Sequence, residues 1–339
     1  AESVMFFQMR RSRGAYENFH GAVIDHEGSE KPRVFRECAE LGRELTRLGD
    51  TLLTARTPAK AAIVFDWENW WAVEFVSAFN NKVSYLHQIQ LYYDAFFQNR
   101  IDVDFVSVED DLGKYDMVVA PMLHMIKPGY AQKLEAYVEQ GGTFLTTYFS
   151  GIVDENALVI TGGFPGPLRK LTGVWVEEID AMQPNERNSI QLSTRIGDLE
   201  AEYLCTFAAE IIHPETAETI AVYGSDFYKG TPVVTRNRFG KGEAWYIGTE
   251  PAPAFVNQLI GHLCRSKGIE AVADQVPAEV EVTRRVKEGK TYTFYLNHGD
   301  QPAAVNLGQS EQLELLTGQR LNGERELAAR GVWILTDAE

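Results

Sequence analysis

Two chemistry-bearing side chains stand three residues apart near the start of the chain. They are Glu17 and His20, inside the run Phe6-Phe7-Gln8-Met9-Arg10-Arg11-Ser12-Arg13-Gly14-Ala15-Tyr16-Glu17-Asn18-Phe19-His20-Gly21. One helical turn at that spacing aims both in the same direction. A carboxylate beside an imidazole can grip two sugar hydroxyls, ligate a metal or move a proton. The plainer alternative is a local ion pair on a solvated loop.

A second group is Asp66-Trp67-Glu68-Asn69-Trp70-Trp71, which follows an apolar strand. Open parallel sheets bind ligands at such carboxyl ends. The segment reads as a loop without a glycine-rich phosphate cradle, which argues against a nucleotide. Three tryptophans in five residues are costly to expose. They suit a sugar-stacking platform or a subunit interface, and the interface is the favoured reading for Trp67, Trp70 and Trp71. A third group is Tyr148-Phe149-Ser150-Gly151, directly after a strand. A nucleophile elbow wants glycines two residues before and after the nucleophile. Tyr148 and Ile152 stand there instead, and no His-x-Glu pair follows, so Ser150 reads as inert. His26, His87, His124, His213, His262 and His298 show no metal-ligand spacing. They receive no role, and neither a metal nor a cofactor is expected.

Composition narrows the classes. The chain has 339 residues, room for two or three domains at about 100–200 each. Hydrophobic residues are 45% and charged residues 24%, as in a soluble globular protein. No apolar run approaches the ~20 residues that span a bilayer, and the N-terminus has no basic-plus-apolar signal pattern. A net charge of -16 argues against nucleic acid or anionic membrane as a partner. The three cysteines, Cys38, Cys205 and Cys264, are odd in number and outside any C-x-x-C pattern. They read as buried free thiols in a reducing, cytoplasmic compartment.

These side chains need elements to hold them. Val4 to Phe7 reads as a strand. A helix is predicted from about Pro32 to Leu53, with a stripe at Val34, Phe35, Cys38, Leu41, Leu45 and Leu48. A lone β-loop-α unit cannot bury its strand. Residues 1–56 are therefore expected to be the final unit of a β/α barrel whose earlier units are missing, and barrel active sites lie on the loops after the strands. Thr57-Pro58 marks a boundary. Across 57–270, strands at Ala61 to Phe65, Val103 to Val108, Asp116 to Ala120 and Thr143 to Tyr148 alternate with helices at Ser84 to Asn99 and Pro128 to Gln140. That order predicts a doubly wound α/β domain with a parallel sheet covered on both faces. Residues 151–220 give no clear pattern. Pro232 to Thr235 and Glu243 to Ile247 read as antiparallel strands, and a helix from Ala254 to Ser266 closes the domain. Period-two patterns at Val280 and Val282, at Tyr292, Phe294 and Leu296, at Leu313 and Leu315 and at Val332 and Ile334 make 271–339 a small antiparallel β-sandwich.

The pattern Phe7-Gln8-x-Arg10-x-Ser12-Arg13-Gly14-x-x-Glu17-x-Phe19-His20-Gly21 resembles the eighth barrel unit of the family 42 glycoside hydrolases, which are β-galactosidases. Phe65-Asp66-Trp67-Glu68-Asn69-Trp70-Trp71-Ala72 is similar to the opening of that family's middle domain. Tyr115-Asp116-Met117-Val118-Val119-Ala120-Pro121, Tyr137-Val138-Glu139-Gln140-Gly141-Gly142-Thr143, Ser150-Gly151-Ile152-Val153-Asp154-Glu155-Asn156 and Pro165-Gly166-Pro167-Leu168 fit it too. The resemblance runs in order along nearly the whole chain and is weakest toward the C-terminus.

The resemblance implies a TIM barrel, then an amidotransferase-like (flavodoxin-like) trimerisation domain, then a small β-domain, assembled as a homotrimer. It implies retaining hydrolysis of terminal β-D-galactosides by two carboxyl groups about 5 Å apart. In the family both glutamates come from earlier barrel strands, so no catalytic residue is expected in this chain, and alone it is expected to be inactive. Its partners would be the missing N-terminal barrel portion and a β-galactoside. Glu17 and His20 match the family's galactose-binding glutamate and histidine, while Met9 stands where the family often has tryptophan. The alternative reading is a non-catalytic assembly module that trimerises through the middle domain.

Overall fold

Helix α1 (Arg33–Leu48) starts behind Pro32 and stops at Gly49. Gly49 takes φ +50 and donates its N–H to the Leu45 carbonyl at 3.0 Å, so the helix ends short of the predicted Leu53. None of its residues is buried. The computed structural model describes residues 3–76, 79, 81–273 and 276–338. Val4 to Phe7 forms no strand, contrary to the reading from sequence. A strand requires a neighbour with free backbone groups, and here the pairing falls one step later. Val23 and Ile24 donate to the Gln8 and Met9 carbonyls at 3.0 and 2.8 Å, and Arg11 donates to the Ile24 carbonyl at 3.0 Å. Phe7 is left 72% exposed.

The chain divides into two units. One is Ala1–Pro58 with Gln275–Glu339, the other Ala59–Asp274. The second unit contains, in order, β1 (Ala61–Val64), α2 (Trp67–Phe75), α3 (Tyr85–Gln98), β2 (Val103–Val106), β3 (Met117–Ala120), α4 (Tyr130–Glu139) and β4 (Thr143–Thr147). Then follow α5 (Arg169–Thr172), β5 (Val174–Ala181), β6 (Asn188–Leu192), β7 (Glu202–Pro214), β8 (Glu218–Tyr223), β9 (Pro232–Phe239), β10 (Gly242–Ile247), β11 (Thr249–Pro251) and α6 (Pro253–Ser266). They build one sheet in the order β11-β7-β6-β8-β9-β10-β4-β3-β1-β2, with β5 on β7. Strands β10, β4, β3, β1 and β2 run parallel, and the rest pair antiparallel.

Alternate residues of the parallel strands serve opposite faces. Ala61, Ile63, Met117 and Val119 pack with Tyr92 and Phe96 of α3 and Leu259 of α6. Ala62, Val64, Val118 and Ala120 pack with Leu134 and Val138 of α4 and Leu171 of α5. Both faces are therefore covered, which is why β1 and β3 read as continuous apolar runs. The segment after β1, read from sequence as a loop, is instead helix α2. Asp66 caps it, accepting the Glu68 N–H.

The first unit is completed by β12 (Val280–Lys287), β13 (Lys290–Asn297), β14 (Ala303–Asn306), β15 (Gln312–Glu314), β16 (Arg320–Leu321), β17 (Glu324–Leu327) and β18 (Val332–Asp337). They form an antiparallel five-stranded sheet, β12-β13-β18-β15-β16, and a separate β14-β17 pair. Arg56 bridges Val286 at the edge of β12, and Lys287 Nζ donates to the Asp50 carbonyl at 2.5 Å. Residues 50–56 are thereby tied to the last strands. Cys205 and Cys264 are buried, whereas Cys38 is only half-buried. Burial pushes the Cys205 and Cys264 thiols up to about 11 and about 12. Among the described residues no helix is long and apolar enough to cross a membrane.

Candidate functional site

Glu17 closes a single 3-10 turn, Ala15–Glu17, and its carbonyl accepts the His20 N–H at 3.1 Å. The turn sits inside a frame made by its own flanks. Arg11 donates through Nε to the His20 carbonyl at 2.8 Å and through Nη1 to Asp25 at 2.8 Å. The His26 ring meets the Ser12 carbonyl at 2.7 Å. Glu17 and His20 are both exposed, and among the described residues neither side chain makes a hydrogen bond or ion pair. The loop therefore holds a carboxylate and an imidazole with their hydrogen-bonding capacity free. Beside it, Phe6, Phe7, Val23, Val34, Cys38 and Leu41 line an apolar groove of about 390 Å³.

Helix α2 is fastened by its buried face. Asn69 is fully buried, donates to the Met122 carbonyl at 3.0 Å and accepts the Met125 N–H at 2.8 Å. Asp66 also accepts from Lys127 Nζ at 2.9 Å. This anchoring leaves Trp67 and Trp71 half-exposed on the outer side. Their rings lie 6.5 Å apart, and Trp67 is 5.3 Å from Trp70.

At the end of β4 the residue in the left-handed conformation is Phe149, φ +62, rather than Ser150. Ser150 is buried, accepts the Leu123 N–H at 2.9 Å and meets Thr146 Oγ1 at 2.9 Å. Its hydroxyl ties β3 and β4 together and is not offered to a substrate. Glu210, from the stretch that sequence left unread, is fully buried beneath this elbow. It accepts the Phe149 N–H at 2.9 Å and the Tyr246 hydroxyl at 2.7 Å. Loss of water pushes its carboxyl up to about 7, opposed by those two hydrogen bonds. His124 stacks on Phe149 with ring centres 4.4 Å apart. Burial pulls its imidazole down to about 4, against a smaller opposite effect of the Phe149 backbone. Nothing in the spacing of Glu210 or His124 announces them, because tertiary folding brings them to the elbow.

Three further histidines make surface contacts. His213 meets Glu177 at 2.6 Å, His298 meets Glu281 at 2.8 Å, and His87 lies 3.6 Å from Glu250. Among the described residues, no three His, Cys, Asp or Glu side chains converge to hold a metal ion.

Three family models match the chain in order. They are "Beta-galactosidase" over residues 1–48, "Beta-galactosidase trimerisation domain" over 59–270 and "Beta-galactosidase C-terminal domain" over 279–337. β-Galactosidase BgaP of Planococcus sp. (strain L4) is 49% identical over 335 residues, covering 99% of this chain and 49% of that protein. β-Galactosidase LacZ of Lactobacillus acidophilus is 41% identical over 322 residues, covering 94% of this chain and 47% of its own length. The crystal structure of a β-galactosidase from Bacillus circulans sp. alkalophilus superposes with a TM-score of 0.95 at 50% identity, covering 99% of this chain and 50% of the other. The chain thus spans about half the length of the relatives it matches. With a large mixed sheet that matches the trimerisation domain and a β-domain that follows it in sequence, the chain belongs to the family 42 β-galactosidases and corresponds to their C-terminal portion.

Proposed function

We propose that the chain is part of a retaining β-galactosidase that hydrolyses terminal β-D-galactosides, supplying part of the sugar-binding site and the oligomerisation domain. The observation that carries this reading is the agreement of three β-galactosidase family models with residues 1–48, 59–270 and 279–337, in that order. Residues 1–56 are then the last β/α unit of the catalytic TIM barrel, 57–270 an amidotransferase-like domain and 271–339 the C-terminal β-domain. The parallel order β2-β1-β3-β4-β10 is the flavodoxin-like order of doubly wound sheets. Glu17 and His20 bind the galactose hydroxyls. The Arg11 frame ties the backbone of their loop, and among the described residues their side chains make no hydrogen bond or ion pair, so binding breaks no existing contact. The groove between Phe7 and α1 receives neighbouring barrel elements. The catalytic carboxyl pair belongs to barrel strands outside this chain, and the free thiols fit a cytoplasmic home.

The test is turnover of a chromogenic β-galactoside by residues 1–339 alone and after the rest of the barrel is supplied. The reading expects none alone and recovery on addition. Turnover by the homogeneous chain would place the carboxyl pair within it and overturn the assignment.

A second reading rests on exposed Trp67 and Trp71 in a domain that matches a trimerisation model. In it the chain is an assembly module, with Trp67, Trp70 and Trp71 at the interface of a homotrimer. Sedimentation at micromolar concentration decides, since a monomer is incompatible with that interface.

A further inference from the structure

Where β1 and β3 end, a groove of about 630 Å³ opens between α2 and residues 153–157. Its place follows from the topology. In the order β2-β1-β3-β4-β10 the chain leaves β1 toward one edge and later returns to β3 on the other side. Open parallel sheets take their ligands in the crevice outside the carboxyl ends at such a reversal.

The lining is specific in its chemistry. Trp71 and Phe75 are four apart on α2, so they share one face, and both line the groove. Phe75 is 89% exposed, a cost that a ligand stacking on it would remove. Glu68, Glu155 and Asn156 supply polar groups around the same space. The buried polar residue of the lining is His124, 1% exposed, whose Nδ1 has no hydrogen-bond partner among the described residues. Buried polar atoms are ordinarily paired, and the side chain that carries this one lines the groove. The uncharged imidazole can donate to or accept from a hydroxyl.

These features select a ligand class. Glu68 is paired with Lys127, so among the described residues no cation of the lining is left over to hold an anion, and Glu155 disfavours phosphate. Aromatic faces pack the C–H face of a ring, while carboxylates, a carboxamide and an imidazole satisfy hydroxyls at its edge. A neutral pyranose has both surfaces. We propose that this groove is a saccharide-binding subsite, with a neutral pyranose ring stacked on Trp71 and Phe75 and hydrogen-bonded by Glu155, Asn156 and His124.

The experiment is saturation-transfer NMR on the full chain with methyl β-D-galactoside and methyl β-D-glucoside as probes. It is run in a Glu17→Gln/His20→Ala background, so that the contact proposed for the barrel loop contributes nothing and the two readings fail separately. The expected result is saturable transfer in the millimolar range, weakened at least about tenfold (~1.4 kcal/mol) by Trp71→Ala and severalfold by Asn156→Ala. Asn156 is exposed, so the second variant tests the site without threatening the fold. No saturable transfer up to about 100 mM, a hundredfold above a ~1 mM dissociation constant, overturns the proposal. So does transfer to tetramethylammonium in place of sugar, which marks a cation site. Sugar transfer that survives Trp71→Ala, while that variant shifts the sedimentation coefficient, also overturns it and returns Trp71 to a subunit contact.

Discussion

Glu210 Oε1 accepts the backbone N–H of Phe149 at 2.9 Å, across 61 residues of sequence. The bond holds a non-glycine residue at φ +62. That conformation costs about 1–2 kcal/mol, so the carboxylate stabilises a strained corner from beneath. Phe149 in turn stacks on His124. Two titratable groups thus contact one elbow, one through its backbone and one through its ring, and burial shifts them oppositely.

The two shifts produce opposing pH dependences. The Glu210 carboxyl is raised to about 7 in the fold. The folded state therefore holds its proton more tightly than the unfolded chain, and stability present at low pH is lost as pH rises toward 7. His124 is lowered to about 4. Its contribution is present above the ordinary imidazole range and is lost as pH falls toward 4. Between about 4.5 and 6.5 the slopes oppose each other. Glu210→Gln is expected to leave His124 dominant, so that stability rises with pH across that window. His124→Gln is expected to leave Glu210 dominant and reverse the slope. Urea midpoints at pH 4.5, 5.5 and 6.5 for both variants decide, and parallel profiles would refute the pairing.

Glu17 and His20 make no side-chain contact among the described residues, and both are exposed. Glu17→Gln and His20→Ala should therefore leave the melting temperature of the chain unchanged. In the assembled enzyme each should lower kcat/KM for a β-galactoside by roughly tenfold to a hundredfold, the cost of losing a charge-assisted hydrogen bond. Unchanged kcat/KM in the assembled enzyme would remove the sugar-binding role.

Some of this was legible in the sequence. Ser84 announces α3 because its hydroxyl accepts the His87 N–H at 3.3 Å and an apolar stripe follows. Strands β1 and β3 are apolar throughout because both their faces are covered. Glu17 and His20 could be singled out by their types and spacing alone, and what the structure adds is that both side chains are exposed and unbonded among the described residues. Helix α2 was not, since nine residues with aromatics around the circumference give no 3.6-residue stripe. Strands β5 to β8 stayed hidden because β7 pairs with β5 and β11, and β8 with β9, through register shifts that break alternation. Val4 to Phe7 has a strand's composition, but composition does not supply a neighbour.

Asn69 is the link between α2 and the turn after β3. Its carboxamide pairs at both ends, with Met122 and Met125, and is fully shielded from water. Asn69→Ala removes both bonds, leaves the Met125 N–H buried and should cost about 2–4 kcal/mol. The loss should fall first on α2, with a shift in tryptophan fluorescence at a lower urea concentration than the far-ultraviolet circular dichroism. Coincident transitions would mean that α2 is held by its packing alone.

Gly151 tests how tightly the elbow is closed. It has φ +67, and a Cβ placed there would lie 1.9 Å from the Pro165 carbonyl oxygen. Backbone, not a movable side chain, blocks that space. Gly151 also donates its N–H to the Leu123 carbonyl at 2.8 Å, so withdrawing from the clash would break the tie to the end of β3. Gly151→Ala therefore combines a left-handed penalty of about 1–2 kcal/mol with a clash that only main-chain movement relieves. The expected loss exceeds about 3 kcal/mol, among the most severe single-site effects. Gly162→Ala is the control. Gly162 also has positive φ, +107, but nothing lies within 4 Å of its would-be Cβ. Its cost should be confined to the backbone penalty. Equal losses in denaturant melts of the two variants would show that the elbow is loose, and that the Phe149–Glu210 bond is not held in place by the Pro165 contact.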